Sequence, residues 1–358
     1  MPSPIHELMR TRRFLPLFVT QFLGAFNDNL LKSALAILVT YRLATETGIA
    51  APTLVMLAGA LFIAPFFLFS GVAGTLADRM DKGRIAQLVK LAEIAIMAIG
   101  AAGLALPSVP LLLFALFLLG MHSTLFGPIK YALLPQHLAA TELVAGNALI
   151  EAGTFLAILI GTILGSSVVL IANGALFVGA IGVAAACAGW FAARLIPAAP
   201  PVAGEMKPAP RLLQDTLDIV GYALARRELL LPMLAISWFW LVGATFVSGL
   251  PVFAKDLLFA DEHVVTLMLA IFAIGIGIGS LLAERLLHGE VSARHVPFAG
   301  LAMALCAIDL ARASAGRMPS TDLASVAAFI SSPADLRILA DLLGLAIGGG
   351  VFTVPLYA

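Results

Sequence analysis

The sequence predicts an all-α polytopic membrane protein, and three observations carry that reading. Of 358 residues, 61% are hydrophobic and 12% charged, where a soluble domain has roughly 25% charged residues. Mean hydropathy is +1.03, and so few charges cannot cover a surface facing water. Runs of the length a spanning helix needs, about 20 mostly apolar residues, recur from Phe14 to Leu356. These runs do not alternate apolar and polar residues, as the roughly ten-residue strands of a membrane β-barrel would.

The elements follow in order. Residues Arg10, Arg12 and Arg13 precede the first run, Phe14–Tyr41, which is far longer than the 7–15-residue core of a cleavable signal. It is therefore expected to be kept as a helix. Thr53–Leu76 is the second run and ends in the charged stretch "ADRMDKGR". Arg84–Leu106, Val109–Leu134, Leu143–Ile171 and Gly174–Ile196 complete a first group of six. A stretch rich in Pro and Ala then reads as a linker, and its second part, Leu212 to Arg227, has the spacing of a short amphipathic surface helix. Beyond it lie Leu229–Phe253, Val264–Leu287, the short Val296–Ala311 and Ile338–Ala358. The expected organisation is a six-helix half (1–197), a linker (198–227) and a second half of about four helices (228–358).

Lys and Arg fall mainly in the loops shared with the N-terminus and the linker, more than twice as many as in the opposite loops. The positive-inside rule places that side in the cytoplasm. Formal net charge is zero, so bulk electrostatics points to no partner, nucleic acid included. Cys187 and Cys306 both lie in apolar runs and imply no disulfide framework.

The halves repeat. "GVAGTLADRMDKGRI" follows the second run and "GIGSLLAERLLHGEV" follows the eighth, which sets Asp78-Arg79 against Glu284-Arg285 at an offset of 206. "FGPIKYA" ends the fourth run and "FTVPLYA" ends the chain, with Tyr131 against Tyr357 at an offset of 226. The difference places an insertion after the ninth run, around Ala313–Arg337. A full copy of the first half has two more helices, so the chain reads as truncated after about ten.

Two parallel repeats of six helices resemble the major facilitator transporters. The loop with Gly74, Ala77, Asp78, Arg79, Lys82 and Arg84 is similar to that superfamily's signature between its second and third helices, except that Asp81 stands where Gly is usual. The resemblance implies a gate on the cytoplasmic side. Within the superfamily, "AFNDNLLKSAL", "FGPIKYALLP", "NALIEAGTFLAILIGTILG" and "GGGVFTVPLYA" look like the bacterial lysophospholipid transporters. That likeness implies a carrier of lysophospholipid, such as lyso-phosphatidylethanolamine, moving it inward across the cytoplasmic membrane for re-acylation. In some members the transporter leads a longer chain with an acyltransferase and an acyl-carrier-protein ligase. The linker and seventh run here resemble that fused kind, which also implies an acyltransferase partner. Stand-alone members carry an Arg midway along the seventh helix, where this chain has Val247 or a neighbour. A proton-coupled exporter of a small amphipathic solute is the rival reading.

Charges inside apolar runs mark candidate sites, because each costs about 2.5–3.5 kcal/mol at the bilayer centre on insertion scales. Asp28 and Lys32 are one helical turn apart and can satisfy one another. Asn27 and Asn29 widen the polar patch beyond what one ion pair requires, as a headgroup site would need. Lys130 either snorkels to the surface or meets a phosphate. Glu151, a turn after Asn147, is either a structural partner for Lys130 or Lys32 or a cavity residue. Lys90 and Glu93 are expected to form an interfacial pair, and Asp309 and Asp341 to pair locally with Arg312 and Arg337. Gly161 and Gly165 have the spacing that lets helices approach closely. None of the six His residues has Asp five positions on, as an acyltransferase motif requires. No enzyme activity, cofactor or metal is expected.

Overall fold

A computed structural model describes residues 4–43, 48–201, 214–288, 290–315 and 323–358. Besides two short α-helices, Pro4–Leu8 and Val326–Ser331, there are eleven longer ones among these residues. They are α1 (Leu15–Leu38), α2 (Ala51–Arg79), α3 (Lys82–Ala105), α4 (Val109–His137), α5 (Leu143–Val168) and α6 (Gly174–Ala193). After the linker come α7 (Gln214–Leu224), α8 (Arg227–Val252), α9 (Glu262–Leu287), α10 (Val296–Ser314) and α11 (Pro333–Tyr357). The predicted runs and these helices agree to within a few residues. The linker from Val202 to Leu213 and the part of the proposed insertion at Gly316–Asp322 lie outside the described residues.

Nine of the described helices are long and apolar enough to cross a membrane. Helix α1 has the length, 24 residues, but is not among the nine. Its polar side chains turn inward instead: Thr20, Gln21, Asn27, Asp28 and Asn29 are buried. The helix satisfies some of them itself. Thr20 donates to the Pro16 carbonyl at 2.6 Å and Asn29 to the Ala25 carbonyl at 2.8 Å, back-bonds one turn away that suit a segment without water.

The chain divides into two compact units. One comprises Met1–Ala139 and Ala157–Ala225; the other comprises Ala140–Leu156 and Arg226–Ala358. The first turns of α5 thus group with the second unit and the rest of α5 with the first.

In the first unit, Leu30, Leu31 and Leu35 of α1, Met97 of α3 and Leu112, Leu116 and Leu119 of α4 are fully buried. Lipid is as apolar as leucine, so close backbone approach does more here than water exclusion. A Cβ on Gly161 would stand 2.5 Å from the Phe26 carbonyl oxygen, and one on Gly165 would collide with that of Leu30. The small-residue spacing on α5 is a crossing point with α1, as its sequence predicts. Gly120 of α4 likewise meets the Phe62 backbone of α2.

In the second unit, α9 and α11 cross through glycines on both partners. Gly279 faces the Ile347 backbone, and Gly350 faces that of Ile276. Helices α2 with α4, and α9 with α11, are thus packed alike at corresponding places in the repeat. In the first unit α6 lies against α1 and α3. Among the described residues of the second unit, no helix lies in that position against α8 and α10. Trp238, Leu241, Phe298 and Leu301 on those two helices are exposed, which suits a lipid-facing surface.

Candidate functional site

Of the polar side chains predicted on α1, Asn27, Asp28 and Asn29 are buried, and the partners of Asp28 and Lys32 differ from those expected. One oxygen of Asp28 accepts from Ser123 Oγ of α4 at 2.6 Å. Asp28 and Lys32 form no ion pair or hydrogen bond with one another among the described residues, although Lys32 lies within electrostatic reach. The half-buried Lys32 instead sets its Nζ over the Phe62 ring of α2, 5.5 Å from the centroid, a geometry that attracts a cation to the ring face. The other Asp28 oxygen is buried and has no hydrogen-bond partner among the described residues. Opposite charges one turn apart are therefore held separately, each by a neutral neighbour.

Beside this pair lies an ion cluster that sequence reasoning assigned to the wrong environment. Lys90 and Glu93 of α3 do not sit at an interface: both side chains are 0% exposed, with Lys90 Nζ 2.5 Å from Glu93 Oε2. Asn27 Nδ2 donates to the other Glu93 oxygen at 2.8 Å. His122 Nε2 stands 3.2 Å from Glu93 Oε2. Phe126, one turn along α4, closes the cluster, with its ring parallel to His122 and 5.3 Å from Lys90 Nζ.

The lysine reaches this depth because α1 offers Gly24. A Cβ there would stand 2.5 Å from Lys90 Nζ. On the opposite side, a Cβ on Gly189 of α6 would make ordinary contact with the Lys90 chain, at 3.9 Å. Part of the signal was present in the sequence: after Gln87, the residues around Lys90 and Glu93 in "QLVKLAEIAI" are all apolar. His122 carried no signal of its own beyond lying in an apolar run.

The remaining predicted residues are dispersed. Lys130 of α4 is half-buried, with its Nζ 4.7 Å from the Tyr131 ring centroid. Glu151 is buried in the second unit, in the part of α5 that also holds Asn147. Of the loop residues, Asp78, Arg79 and Arg84 are exposed while Lys82 is buried. A Cβ on Gly74 would touch Ile219 of the amphipathic helix α7 at 3.9 Å.

Asp81, the departure from the signature, has a clear task. Its carboxylate caps α3 by accepting from the Arg84 amide at 2.8 Å and also accepts from the Ala199 amide at 2.8 Å. The Lys82 amide donates to the Ala199 carbonyl at 3.0 Å. The start of the linker is thereby fastened to the N-terminus of α3. Gly83 makes room for it, since a Cβ there would stand 2.9 Å from the Pro197 carbonyl.

Asp309 also departs from expectation. It does not pair locally with Arg312; Arg337 of α11 forks onto both its oxygens across the helix pair, with Nε donating at 2.9 Å. The fork ties α10 to α11, a geometry suited to guanidinium and carboxylate.

Nine long apolar helices among the described residues, several packed through glycine crossings, mark a polytopic membrane protein. The sequence profile of the Major Facilitator Superfamily matches residues 17–358. The chain belongs to that superfamily. Relatives include the lysophospholipid transporter LplT of Serratia proteamaculans, 28% identical over 99% of this chain and 81% of that protein. LplT of Salmonella gallinarum is 28% identical over 97% of this chain and 79% of its own. Among solved structures, a bacterial homologue of the iron transporter ferroportin aligns over 95% of this chain and 83% of its own at TM-score 0.64 and 15% identity. The human organic anion transporter MFSD10 aligns over 97% of this chain and 89% of its own at TM-score 0.65 and 14% identity. These two likenesses are of fold.

Proposed function

We propose that the chain carries a lysophospholipid, with lyso-phosphatidylethanolamine the best fit, inward across the cytoplasmic membrane by alternating access. The N-terminus lies on the cytoplasmic side. The observation that carries the reading is the separation of Asp28 from Lys32. An ethanolamine phosphate headgroup bears one positive and one negative charge, and a site for it needs an acid and a base that do not neutralise each other. Asp28 takes the ammonium and Lys32 the phosphate, with Asn27 and Asn29 shaping the patch around them. Lys130 and Glu151 serve further along the route, and the residues Gly74, Asp78, Arg79, Lys82 and Arg84 gate the cytoplasmic side. The named relatives, lysophospholipid transporters over nearly the whole chain, support the cargo class, and an acyltransferase that re-acylates it is the partner this reading implies.

The test is uptake of labelled lyso-phosphatidylethanolamine into vesicles carrying the protein. Asp28→Asn keeps shape and removes charge, so it is expected to fold normally and lose at least ten-fold in uptake. Lys32→Met is expected to fold as well, because the structure holds Asp28 by Ser123. Normal uptake by Asp28→Asn at normal expression sinks the site. Competition by an amphipathic solute without an acyl chain, equal to that by lysolipid, favours the exporter instead.

A further inference from the structure

The loop between α2 and α3 meets the linker at both of the linker's described ends. Only Met80 and Asp81 separate the two helices. One Asp81 oxygen accepts from the Arg84 amide and the other from the Ala199 amide, each at 2.8 Å. The Lys82 amide donates to the Ala199 carbonyl at 3.0 Å. The linker start is thus bonded to the first turn of α3 through both backbone groups of one residue. At the linker's other end, Ile219 of α7 lies 3.9 Å from where a Cβ on Gly74 of α2 would stand.

The chemistry of the contact calls for a carboxylate. Ala199 is buried, so its amide needs a partner within the fold. The first amides of α3 have no partner inside their own helix and need one too. Two carboxylate oxygens meet both needs at once, and a glycine at position 81 would meet neither. Gly83 supplies the room, since a Cβ there would stand 2.9 Å from the Pro197 carbonyl oxygen. Arg79, Lys82 and Arg84 all lie within three residues of Asp81, so whatever holds Asp81 also holds the backbone that carries them.

We propose that Asp81 is a positioning residue: it locks the loop bearing Arg79, Lys82 and Arg84 to the start of the linker, so that loop and linker start move as one body and the turnover of the transporter depends on the lock. The dependence of turnover rests on the cytoplasmic gate proposed above; the lock itself does not. Asp81 bonds backbone amides of the loop and the linker rather than the polar patch on α1, so the lock sets how readily the loop moves and not how tightly cargo binds.

Amide hydrogen exchange on the full chain in detergent micelles tests the lock. In Asp81→Gly the segment holding Ala199 and the first turn of α3 are expected to exchange about ten-fold faster or more, because local opening becomes easier. Asn has one side-chain acceptor oxygen for the two amides, so Asp81→Asn should fall between Asp81→Gly and the parent. Parental exchange in Asp81→Gly overturns the proposal. Uptake of labelled lyso-phosphatidylethanolamine into vesicles, per folded molecule, tests the dependence. Asp81→Gly is expected to lose about three-fold or more in maximal rate with KM within about two-fold of the parent, and Asp81→Asn to recover part of that loss. Asp261→Gly removes a cap of the same kind from α9, where Asp261 accepts from the His263 and Val264 amides at 3.0 Å, and is expected to keep the parental rate. An equal loss in Asp261→Gly, or a parental maximal rate in Asp81→Gly, overturns the role in turnover. A parent that takes up no lysolipid sinks the cargo reading alone, and exchange then decides the lock.

Discussion

Lys90→Met should be among the most damaging single changes in the first unit. The perturbation deletes one partner of an ion pair in which both side chains are 0% exposed and the charged atoms are 2.5 Å apart. Breaking such a pair strands a buried charge and costs about 3–5 kcal/mol. Glu93 retains two neighbours, Asn27 at 2.8 Å and His122 at 3.2 Å. Lys90→Met is therefore expected near the low end, about 3 kcal/mol. Glu93→Leu leaves Lys90 without any carboxylate in contact, with only the Phe126 ring beneath it, and is expected near the high end, about 5 kcal/mol. The double variant Lys90→Met/Glu93→Leu removes both charges at similar volume, so it should return to within about 1 kcal/mol of the parent or exceed it. Equilibrium unfolding in mixed micelles gives all three values, with Trp190, in the same unit, among the fluorescent reporters. A double variant as unstable as the sum of the singles refutes the reasoning, because the loss would then come from packing. So would Lys90→Met at parental stability.

Two further changes test the packing. Gly165→Ala places a Cβ against the Leu30 backbone and should cost about 1–3 kcal/mol by overpacking, whereas Gly277→Ala, with its nearest neighbour at 3.9 Å, should be neutral or stabilise by up to about 1 kcal/mol; retention of a monodisperse chromatographic peak after heating ranks them. Asp81→Ala removes a helix cap, worth about 0.5–2 kcal/mol, and with it the Ala199 bond, so it should lower the same thermal midpoint more than Arg84→Ala, which keeps the backbone amide that Asp81 accepts from.

The helices were legible because hydrophobic length is a one-dimensional property. Their crossings were partly legible: Gly161 and Gly165 could be read, since four-residue spacing puts both on one face. The partners of the charges were not, for a physical reason. Asp28 and Lys32 fall at the spacing where side chains on one helix meet, and local spacing therefore predicted a pair. In the folded unit Ser123, 95 positions away in sequence, offers Asp28 a hydrogen bond, and the Phe62 face offers Lys32 a cation site. Arg337 escapes the same prediction by reaching Asp309, 28 residues back. Where Lys90 and Glu93 are concerned the pair was read correctly and its depth was not, because depth depends on Gly24 and Gly189 of two other helices.

Position in the cluster also separates what fastens the first unit from what is available to a ligand. Glu93 is occupied on both oxygens, by Asn27 on one and by Lys90 on the other. Both oxygens are engaged within the fold, and with His122 alongside, its burial ties α1, α3 and α4 together. Asp28 uses one oxygen on Ser123 and leaves the other without a hydrogen-bond partner among the described residues. A buried carboxylate oxygen in that condition is costly, and the fold retains it one residue from Asn27, which is committed to Glu93. The triplet Asn27-Asp28-Asn29 thus divides its labour by helical direction. Through their amide nitrogens Asn27 fastens α1 to α3 and Asn29 satisfies its own helix at Ala25, while one oxygen each of Asn27 and Asp28 has no hydrogen-bond partner among the described residues. Asp28 is the one acid of the triplet, so its unpartnered oxygen is the one suited to the cationic group proposed above.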